Sequence, residues 1–457
     1  MYSIHTFLLQ KELFRSPEPV KTTVVSSFTD TPALQQIARQ ADSDYILFYT
    51  GTSPIELHPY AIGRMYQIAE SNDGALFYSD YQEIRQGKKI HHPTLEYQTG
   101  SIRNDFDFGQ LLLFRNDSFQ QVVAQMNTDY RFAALYELRL SISRLGKIVH
   151  IPETLYTIQP TDLRLSGEKQ FDYVDPANRE VQLEMEAVCT AHLQAIGAWL
   201  APEFQRIDFG QENFAREASV IIPVRNRKRT IAEAVESALQ QQTDFSFNVI
   251  VVDNHSTDST GQILTELSRR YPNLIHHIPA STELGIGGCW TEAILLPECG
   301  KFAIQLDSDD LYKDCHVLQR IVDTFYQENC AMVIGSYQMV DFKLEEIPPG
   351  LIAHREWTPD NGRNNALRIN GLGAPRAFYT PVLRQIKFPN VSYGEDYATA
   401  LAISRKYPIA RIYDPLYLCR RWEENSDHDL DIQQLNNYNF YKDKIRTLEI
   451  QARISGK

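Results

Sequence analysis

In the second half of the chain, short apolar runs alternate with segments whose apolar residues recur every three or four positions. The runs are 219–222, 249–252, 274–278 and 301–306. Runs of this length predict buried strands, and the segments 230–239 and 259–267 between them predict helices with one apolar face. Strands that alternate with amphipathic helices favour an α/β fold, with a mostly parallel sheet covered by helices on both faces.

Two of these helices begin with the pattern of a capping box. Glu233 follows Thr230 by three residues, and Gln262 follows Ser259 by the same distance. In such a box the hydroxyl accepts a backbone N–H of the first turn, and the Glu or Gln side chain reaches back to the cap residue. The pattern predicts that both pairs close the first turns of their helices.

Polar residues follow the predicted strands, and the predicted parallel sheet places the ends of these strands at a common rim. Asn226 lies past the first strand, Asp253 ends the second, and an Asp-Ser-Asp-Asp run at 307–310 follows the fourth. Ligands of open α/β sheets bind beyond the carboxyl ends of the strands. Clustered carboxylates repel one another unless a hard divalent cation and a phosphate join them. The alternative is a solvated acidic turn in which Asp310 caps the next helix.

Two motifs nearer the C-terminus add candidate chemistry. Glu395 and Asp396 precede an amphipathic helix, where they are either acids favoured by the helix dipole or a general base for an acceptor hydroxyl. Arg420, Arg421 and Trp422 combine groups that bind phosphate in a fork with a ring that stacks on a sugar or base. A surface-exposed basic strand end is the alternative interpretation of this second motif.

Two weaker signals stay open in the sequence. His428 is either a third metal ligand or a structural or exposed histidine. Gly285, Gly287 and Gly288 form either a phosphate cradle or a tight turn, because their spacing fits neither the dinucleotide fingerprint nor a P-loop.

The first half of the chain resembles a degenerate copy of the second. The run 45–49 resembles 302–306, and the segments 142–144 and 155–156 recur near 403 and 416 at one constant offset. A constant offset indicates duplication.

This N-terminal copy lacks the acidic residues found at 307–310 and 395–396 in the second half. The segment 50–53 (Thr-Gly-Thr-Ser) stands where the second half has the acidic run, and Ala134 and Leu135 stand where it has Glu395 and Asp396. The first half is therefore predicted to be a shortened, non-catalytic relative of the second. The predicted division is a degenerate domain at 1–170, a helical connector at 171–215, a catalytic domain at 216–425 and a helical tail at 426–457.

The composition of the chain narrows the class of protein. The 457 residues carry a net charge of -13, which argues against a nucleic-acid binder. No apolar run approaches the ~20 residues needed to span a bilayer, and the first residues lack the pattern of a signal peptide. The six cysteines form no CxxC pair, so zinc is not expected and a reducing cytoplasm is.

Taken in order, five segments resemble a family 2 glycosyltransferase of the GT-A fold. They are 220–226, 251–258, 306–310, 394–396 and 420–422. The resemblance covers roughly the last half of the chain. It implies an inverting transfer of a sugar from a nucleotide-diphosphate donor to a hydroxyl, assisted by Mn²⁺ or Mg²⁺.

The resemblance also implies roles for single residues. Asp309 and Asp307 belong to a DxD motif and hold the metal, with His428 as a further candidate ligand. Asp396 is the base, and Glu395 helps to bind the acceptor. The residues implied on the donor side are Pro223, Val224, Asn226, Asp253, Asn254, Asp307, Arg420 and Arg421, and those on the acceptor side are Asp310 and Trp422. Asn254 stands where many uridine-dependent relatives carry a second Asp.

Three functions follow as hypotheses. The leading one is a metal-dependent glycosyltransferase of bacterial cell-surface polysaccharide synthesis, which acts on a glycan or lipid-linked acceptor. Its expected location is the cytoplasm, and lipid-linked acceptors also allow peripheral association with the inner face of the plasma membrane. The alternatives are a sugar nucleotidyltransferase and a glycan-binding or scaffold protein built from GT-A-like domains. The sequence gives no oligomeric state.

Overall fold

The computed structural model describes residues 2–159, 178–210, 212–422 and 430–456. The chain divides into two compact units. The first comprises Met1–Trp199, Leu367–Ile369 and Leu430–Lys457, and the second comprises Leu200–Ala366 and Asn370–Asp429. The C-terminal helix therefore belongs to the first unit, whereas the sequence predicted a separate tail. The predicted connector is divided between the units.

The first unit is built on one sheet with helices. Its strands are β1 (Ile4–Leu8), β2 (Phe14–Arg15), β3 (Lys21–Val24), β4 (Tyr45–Tyr49), β5 (Ile55–Leu57), β6 (Gly74–Arg85), β7 (Lys88–His92), β8 (Leu111–Arg115) and β9 (Lys147–Ile158). Its helices up to the unit boundary are α1 (Thr31–Gln40), α2 (Ala61–Glu70), α3 (Asn116–Val123), α4 (Ala134–Leu145) and α5 (Arg179–Ala195). Of the long connector helix expected at 175–200, α5 is the part that the structure describes, and residues 160–177 lie outside the described residues.

The second unit repeats this construction. Its strands are β10 (Ala218–Val224), β11 (Phe247–Asp253), β12 (Leu274–His277), β13 (Phe302–Gln305), β14 (Leu311–Tyr312), β15 (Met332–Val340), β16 (Glu346–Ile352), β17 (Arg376–Tyr379) and β18 (Ile409–Arg420). Its helices are α6 (Ile231–Leu239), α7 (Thr260–Arg270), α8 (Ile286–Leu295), α9 (Val317–Glu328), α10 (Gly362–Asn365), α11 (Thr380–Ile386) and α12 (Glu395–Ser404). The last helix of the chain, α13 (Ile432–Ile454), completes the first unit.

The two sheets share one strand order. The order β5-β9-β6-β8-β4-β1-β3 in the first unit corresponds to β14-β18-β15-β17-β13-β10-β11 in the second, and β7 and β16 pair with equivalent strands. The equivalent pairs also run in the same relative directions, parallel for β1 with β4 as for β10 with β13, and antiparallel for β4 with β8 as for β13 with β17. The duplicated α/β fold expected from the sequence is confirmed. Both sheets are mixed, because an antiparallel strand follows the parallel half in each.

The parallel half of the second sheet fixes the rim that the sequence predicted. Strand β10 pairs with β11 in a register that puts Val224 opposite Asp253. On its other side β10 pairs with β13, and the backbone N–H of Leu306 donates to Ile221 at 3.2 Å. All Val, Ile and Ala residues of these strands are buried, as expected for strands covered on both faces. Their carboxyl ends lie at one edge of the sheet.

Buried charges tie α13 into the first unit. Asp443 accepts hydrogen bonds from the hydroxyl of Ser101 at 3.0 Å and from Nε of Arg103 at 3.2 Å. It also pairs with Arg446 at 2.7 Å, and all three charged residues are almost completely buried. The backbone N–H of Gly100 donates to Thr447 at 2.9 Å. Because an unpaired buried charge is costly, α13 and the segment around residue 100 depend on each other.

Candidate functional site

Asp253, the last residue of β11, is held as a carboxylate at the rim. It is 3 % exposed, and it accepts hydrogen bonds from the backbone N–H of Ser256 at 2.9 Å and from Nε2 of His276 at 3.3 Å. Burial acts to raise the pKa of Asp253, but the hydrogen bonds from His276 and Ser256 outweigh it and lower the pKa below its ordinary value. The group is therefore a fixed negative acceptor at the strand end.

Two asparagines join the loops that follow β10 and β11. Asn226 has a left-handed backbone (φ 54°), and its side-chain oxygen accepts the backbone N–H of Thr257 at 2.8 Å. Asn254 donates its side-chain amide to the carbonyl of Leu284 at 2.7 Å and its backbone N–H to Val224 at 2.8 Å. Among the described residues, no hydrogen-bond partner reaches the buried oxygen Oδ1 of Asn254. Asn226 thus shapes the rim with its side chain, while Asn254 keeps one acceptor available.

The acids after β13 are crowded and desolvated. Asp307 accepts two hydrogen bonds from Nε2 of Gln305, at 2.9 and 3.0 Å, and its backbone N–H donates to the hydroxyl of Tyr417 at 2.9 Å. Burial, followed by Asp309, raises the pKa of Asp307 against the opposing effect of nearby donors. Asp310 is 5 % exposed, and burial with the charges of Asp309 and Asp307 raises its pKa well above the ordinary value. The run therefore carries a cost that a cation relieves.

Asp309 lies against an aromatic and cationic cluster. Nε1 of Trp422 donates to its Oδ2 at 3.1 Å, and Nε of Arg227 lies 3.8 Å from the same oxygen. The Trp422 ring contacts Phe342, with centroids 5.3 Å apart, and the Arg229 guanidinium lies 5.4 Å from the Trp422 ring centroid. Trp422, predicted on the acceptor side, therefore orients Asp309.

Arg420 lies beneath the acidic run, which differs from its predicted contact with a diphosphate. It is 1 % exposed, and its backbone N–H donates to Asp310 at 2.7 Å. Its guanidinium donates to the backbone carbonyl of Asp309 and to Glu233.

The predicted capping box of α6 is not formed. Glu233 pairs with the buried guanidinium of Arg420, and no side-chain hydrogen bond caps the helix. The second predicted box is also not formed, because the side chain of Ser259 makes no cap hydrogen bond to α7. Arg421 donates its backbone N–H to Val340 at 2.9 Å and so extends the ladder between β18 and β15.

Glu395 and Asp396 form the first turn of α12, after Gly394 with φ 78°. Burial, and then the charge of Asp396, raises the pKa of Glu395 to about 8. Oε2 of Glu395 is buried without a hydrogen-bond partner in the described part of the chain. Asp396 accepts the backbone N–H of Tyr397 at 2.7 Å and pairs with Arg376. A carboxyl group with a pKa near neutrality suits proton transfer.

Two polar residues that join the acids, Gln305 and Arg376, were not predicted from the sequence. Gln305 ends β13, and its side-chain oxygen accepts the backbone N–H and Nε of Arg376 at 3.1 and 3.0 Å. Arg376 begins β17, beside the apolar run 377–379. The only signal in the sequence was that Arg376 is a single charged residue at the start of an apolar strand.

The glycine loop packs against the segment before α12. The backbone N–H of Gly285 donates to Asn390 at 2.8 Å. A Cβ on Gly287 would lie 2.0 Å from the carbonyl of Pro389 and 3.0 Å from Cβ of Glu395. The sequence left a phosphate cradle and a tight turn open for these glycines. The structure places Gly287 and Gly288 inside α8, where the backbone of Pro389 approaches Gly287 too closely for any side chain.

Metal ligation was predicted at Asp309, Asp307 and His428. His428 lies outside the described residues. In the ranges that the structure describes, no group of three or more His, Cys, Asp or Glu side chains could hold a metal ion. The same part of the chain contains no helix that combines the length and apolarity needed to cross a bilayer.

The sheet and its acidic rim define an α/β domain. The family model for glycosyl transferase family 2 matches residues 219–386. This match falls in the second half of the chain and includes the first three of the five segments that resemble the family, 220–226, 251–258 and 306–310.

Known proteins similar to this chain include a poly(ribitol-phosphate) beta-glucosyltransferase of Bacillus spizizenii, at 25 % identity over 49 % of this chain and 35 % of the relative. An uncharacterized glycosyltransferase of Nostoc sp. is 32 % identical over 27 % of this chain and 37 % of the relative. The match thus spans about a third of each relative's length. Among solved structures, S. aureus TarS 1-349 in complex with UDP-GlcNAc is 23 % identical with a TM-score of 0.40, over 52 % of this chain and 72 % of that one.

Proposed function

We propose that the second unit transfers a sugar, with inversion, from a nucleotide-diphosphate donor to an acceptor hydroxyl. One observation carries this proposal. Asp307, from the acidic run after β13, and Asp396, from the first turn of α12, are joined through Gln305 and Arg376. Acids that bind a donor diphosphate through a cation and an acid that takes the acceptor proton must lie close together for a single displacement.

The donor nucleoside is proposed to bind at the rim formed by β10 and β11. Asp253 is a fixed carboxylate there, and Oδ1 of Asn254 is a buried acceptor without a partner among the described residues. A buried unpaired acceptor is costly, and an N–H group of a nucleobase satisfies it. Pro223 and Val224 line the same strand end, and Asn226 holds the two loops together.

The acids after β13 fit a divalent cation, Mn²⁺ or Mg²⁺. Asp309 and Asp307 carry the carboxylate oxygens that such ions prefer, and burial raises the pKa of Asp307, so its carboxylate gains from a cation. Since the described residues offer no third carboxylate or imidazole ligand, the remaining oxygens would come from the diphosphate and water. When bound, the ion neutralises the charge of the leaving nucleoside diphosphate.

The base is proposed to be Asp396, with Glu395 beside it. Arg376 and the backbone N–H of Tyr397 hold the Asp396 carboxylate in one orientation. Oε2 of Glu395 has no hydrogen-bond partner among the described residues, and burial raises the pKa of this carboxyl group to about 8, so it is placed to form a hydrogen bond with the acceptor hydroxyl. The acceptor oxygen attacks the sugar carbon as its proton passes to the carboxylate, and the nucleoside diphosphate leaves from the opposite face.

The acceptor is proposed to be a polymeric or lipid-linked component of a bacterial surface polysaccharide, modified on the cytoplasmic side of the membrane. The similarity to a poly(ribitol-phosphate) beta-glucosyltransferase supports this class of acceptor. The first unit is proposed to be non-catalytic, because Thr50, Thr52, Ala134 and Leu135 occupy the positions of the acids.

A thermal-shift screen tests the function. UDP, GDP, TDP and CDP are each added with Mn²⁺, with Mg²⁺ or with EDTA, and we expect one nucleotide to raise the melting temperature only with metal. Asp396→Asn is expected to keep this shift and to lose release of the nucleoside diphosphate from a nucleotide sugar, with poly(ribitol phosphate) as the acceptor probe. The absence of any metal-dependent shift in the wild type would overturn the function, and turnover by Asp396→Asn would place the base elsewhere.

A further inference from the structure

A chain of side-chain contacts fixes the orientation of two carboxylates. Only the amide oxygen of Gln305 can accept the two N–H groups of Arg376, at 3.1 and 3.0 Å, so its nitrogen is directed at Asp307 and donates at 2.9 and 3.0 Å. The Nη1 of the same guanidinium pairs with Asp396. Gln305 is 4 % exposed, so water does not compete for its amide.

Arg376 is the positive charge that these acids share. Its charge lowers the pKa of Glu395, against the larger effect of burial. In return, although burial opposes it, the charges of Asp396, Asp307 and Glu395, with Tyr417, raise the pKa of Arg376. One guanidinium thus faces carboxylates from both acidic motifs.

The first unit shows that the fold does not require these polar residues. In the first unit, Leu47 of β4 lies opposite Leu113 of β8, and the next residue of β4, Phe48, lies opposite Leu112. In β13 and β17 the equivalent pair is Ile304 opposite Ala377, and the next position in the register is Gln305 beside Arg376. Phe48 and Leu112 are both buried. Apolar side chains therefore serve the same sheet where the acids are absent.

We infer that Arg376 is a positioning residue for the transfer, which holds the base carboxylate and, through Gln305, the carboxylate of Asp307 in one fixed arrangement. This inference rests on the proposed function. A guanidinium suits the task because its planar fork donates in several fixed directions, whereas an ammonium does not. The polar residues of the network and the acids are absent together from the first unit, as expected if both serve one reaction.

The test compares Arg376→Leu, which carries the residue of the first unit, with Arg376→Lys, which keeps the charge. Arg384→Lys is the matched control, since Arg384 is a partly buried arginine of the same unit that donates to Ile294 at 2.7 Å. We measure kcat, the KM for the nucleotide sugar, the melting temperature and the pH dependence of kcat/KM. Both Arg376 variants are expected to keep a metal-dependent nucleotide shift, at a higher metal concentration than the wild type, and to lose about 10²-fold in kcat, because the carboxylates are no longer held in place.

The pH profile separates positioning from general stability. Arg376→Leu removes the positive charge that pairs with the carboxylate of the base, Asp396, and a carboxylate without this partner binds its proton more tightly. The acidic limb is therefore expected to move to higher pH in Arg376→Leu, while Arg376→Lys keeps the limb near that of the wild type. If the wild type itself shows neither metal-dependent nucleotide binding nor transfer, the proposed function fails. If the wild type is active and both variants keep kcat within about threefold with an unchanged acidic limb, the inference on Arg376 is overturned. Should Arg376→Leu not fold, Arg376→Lys decides.

Discussion

The raised pKa of Glu395 predicts a stability cost that a single amide substitution removes. Burial and the charge of Asp396 raise this pKa from 4.5 to about 8. A carboxyl group whose pKa is higher in the folded state stabilises the fold only while protonated, so this contribution is complete below pH 4.5 and is lost as the pH rises to about 8. At about 1.4 kcal/mol for each pKa unit, the loss is at most about 3 kcal/mol at pH 7 and about 5 kcal/mol above pH 8.

Glu395→Gln is therefore expected to raise the melting temperature of the unliganded protein. For a unit of this size, about 3 kcal/mol corresponds to about 6–12 °C at pH 7, and the difference from the wild type should vanish near pH 4.5. Thermal unfolding followed by intrinsic fluorescence from pH 5 to pH 9 measures it, with Glu266→Gln, an exposed position on α7, as the control. A difference that stays constant between pH 5 and pH 8 would refute the reasoning.

Two further predictions concern the surroundings of the acids. Trp422→Phe keeps the ring but removes the N–H that donates to Asp309, and we expect about 10–100-fold weaker metal binding, measured by titrating Mn²⁺ against the nucleotide-induced thermal shift. An unchanged midpoint would show that Trp422 does not orient Asp309. Gly287→Ala places a methyl group 2.0 Å from the carbonyl of Pro389, and we expect the strain to lower the unfolding free energy by about 1–3 kcal/mol in urea titrations. The exposed Gly210→Ala, where the nearest atom is 3.3 Å away, should leave the unfolding free energy nearly unchanged, and equal effects of the two would contradict this account.

The rim of the second unit was predictable from sequence because it depends on local patterns. Apolar runs define β10, β11 and β13, and parallel strands end at one edge whatever their order. Asp253 and the acids after β13 therefore fall at that edge as soon as the strands are identified. Similarly, the repeat was visible because equivalent strands keep their hydrophobic pattern after the acids are gone.

The network around Arg376 was not predictable in this way. Gln305 and Arg376 are 71 residues apart in the sequence, and their contact depends on β17 running antiparallel beside β13, which no periodicity encodes. The roles of Glu233 and Arg420 were missed for the same reason. A capping box is a local interaction. Here the buried guanidinium of Arg420, from a distant strand, binds Glu233 in place of the cap residue.

The position of α13 in the first unit also bears on the order in which the protein is made. Arg103 and Ser101 leave the ribosome long before Asp443, yet their polar groups are satisfied by it inside the core. During synthesis the whole of the second unit emerges while the first still lacks its last helix. The domain without the acids is thus the later of the two to be completed, although its chain is made first.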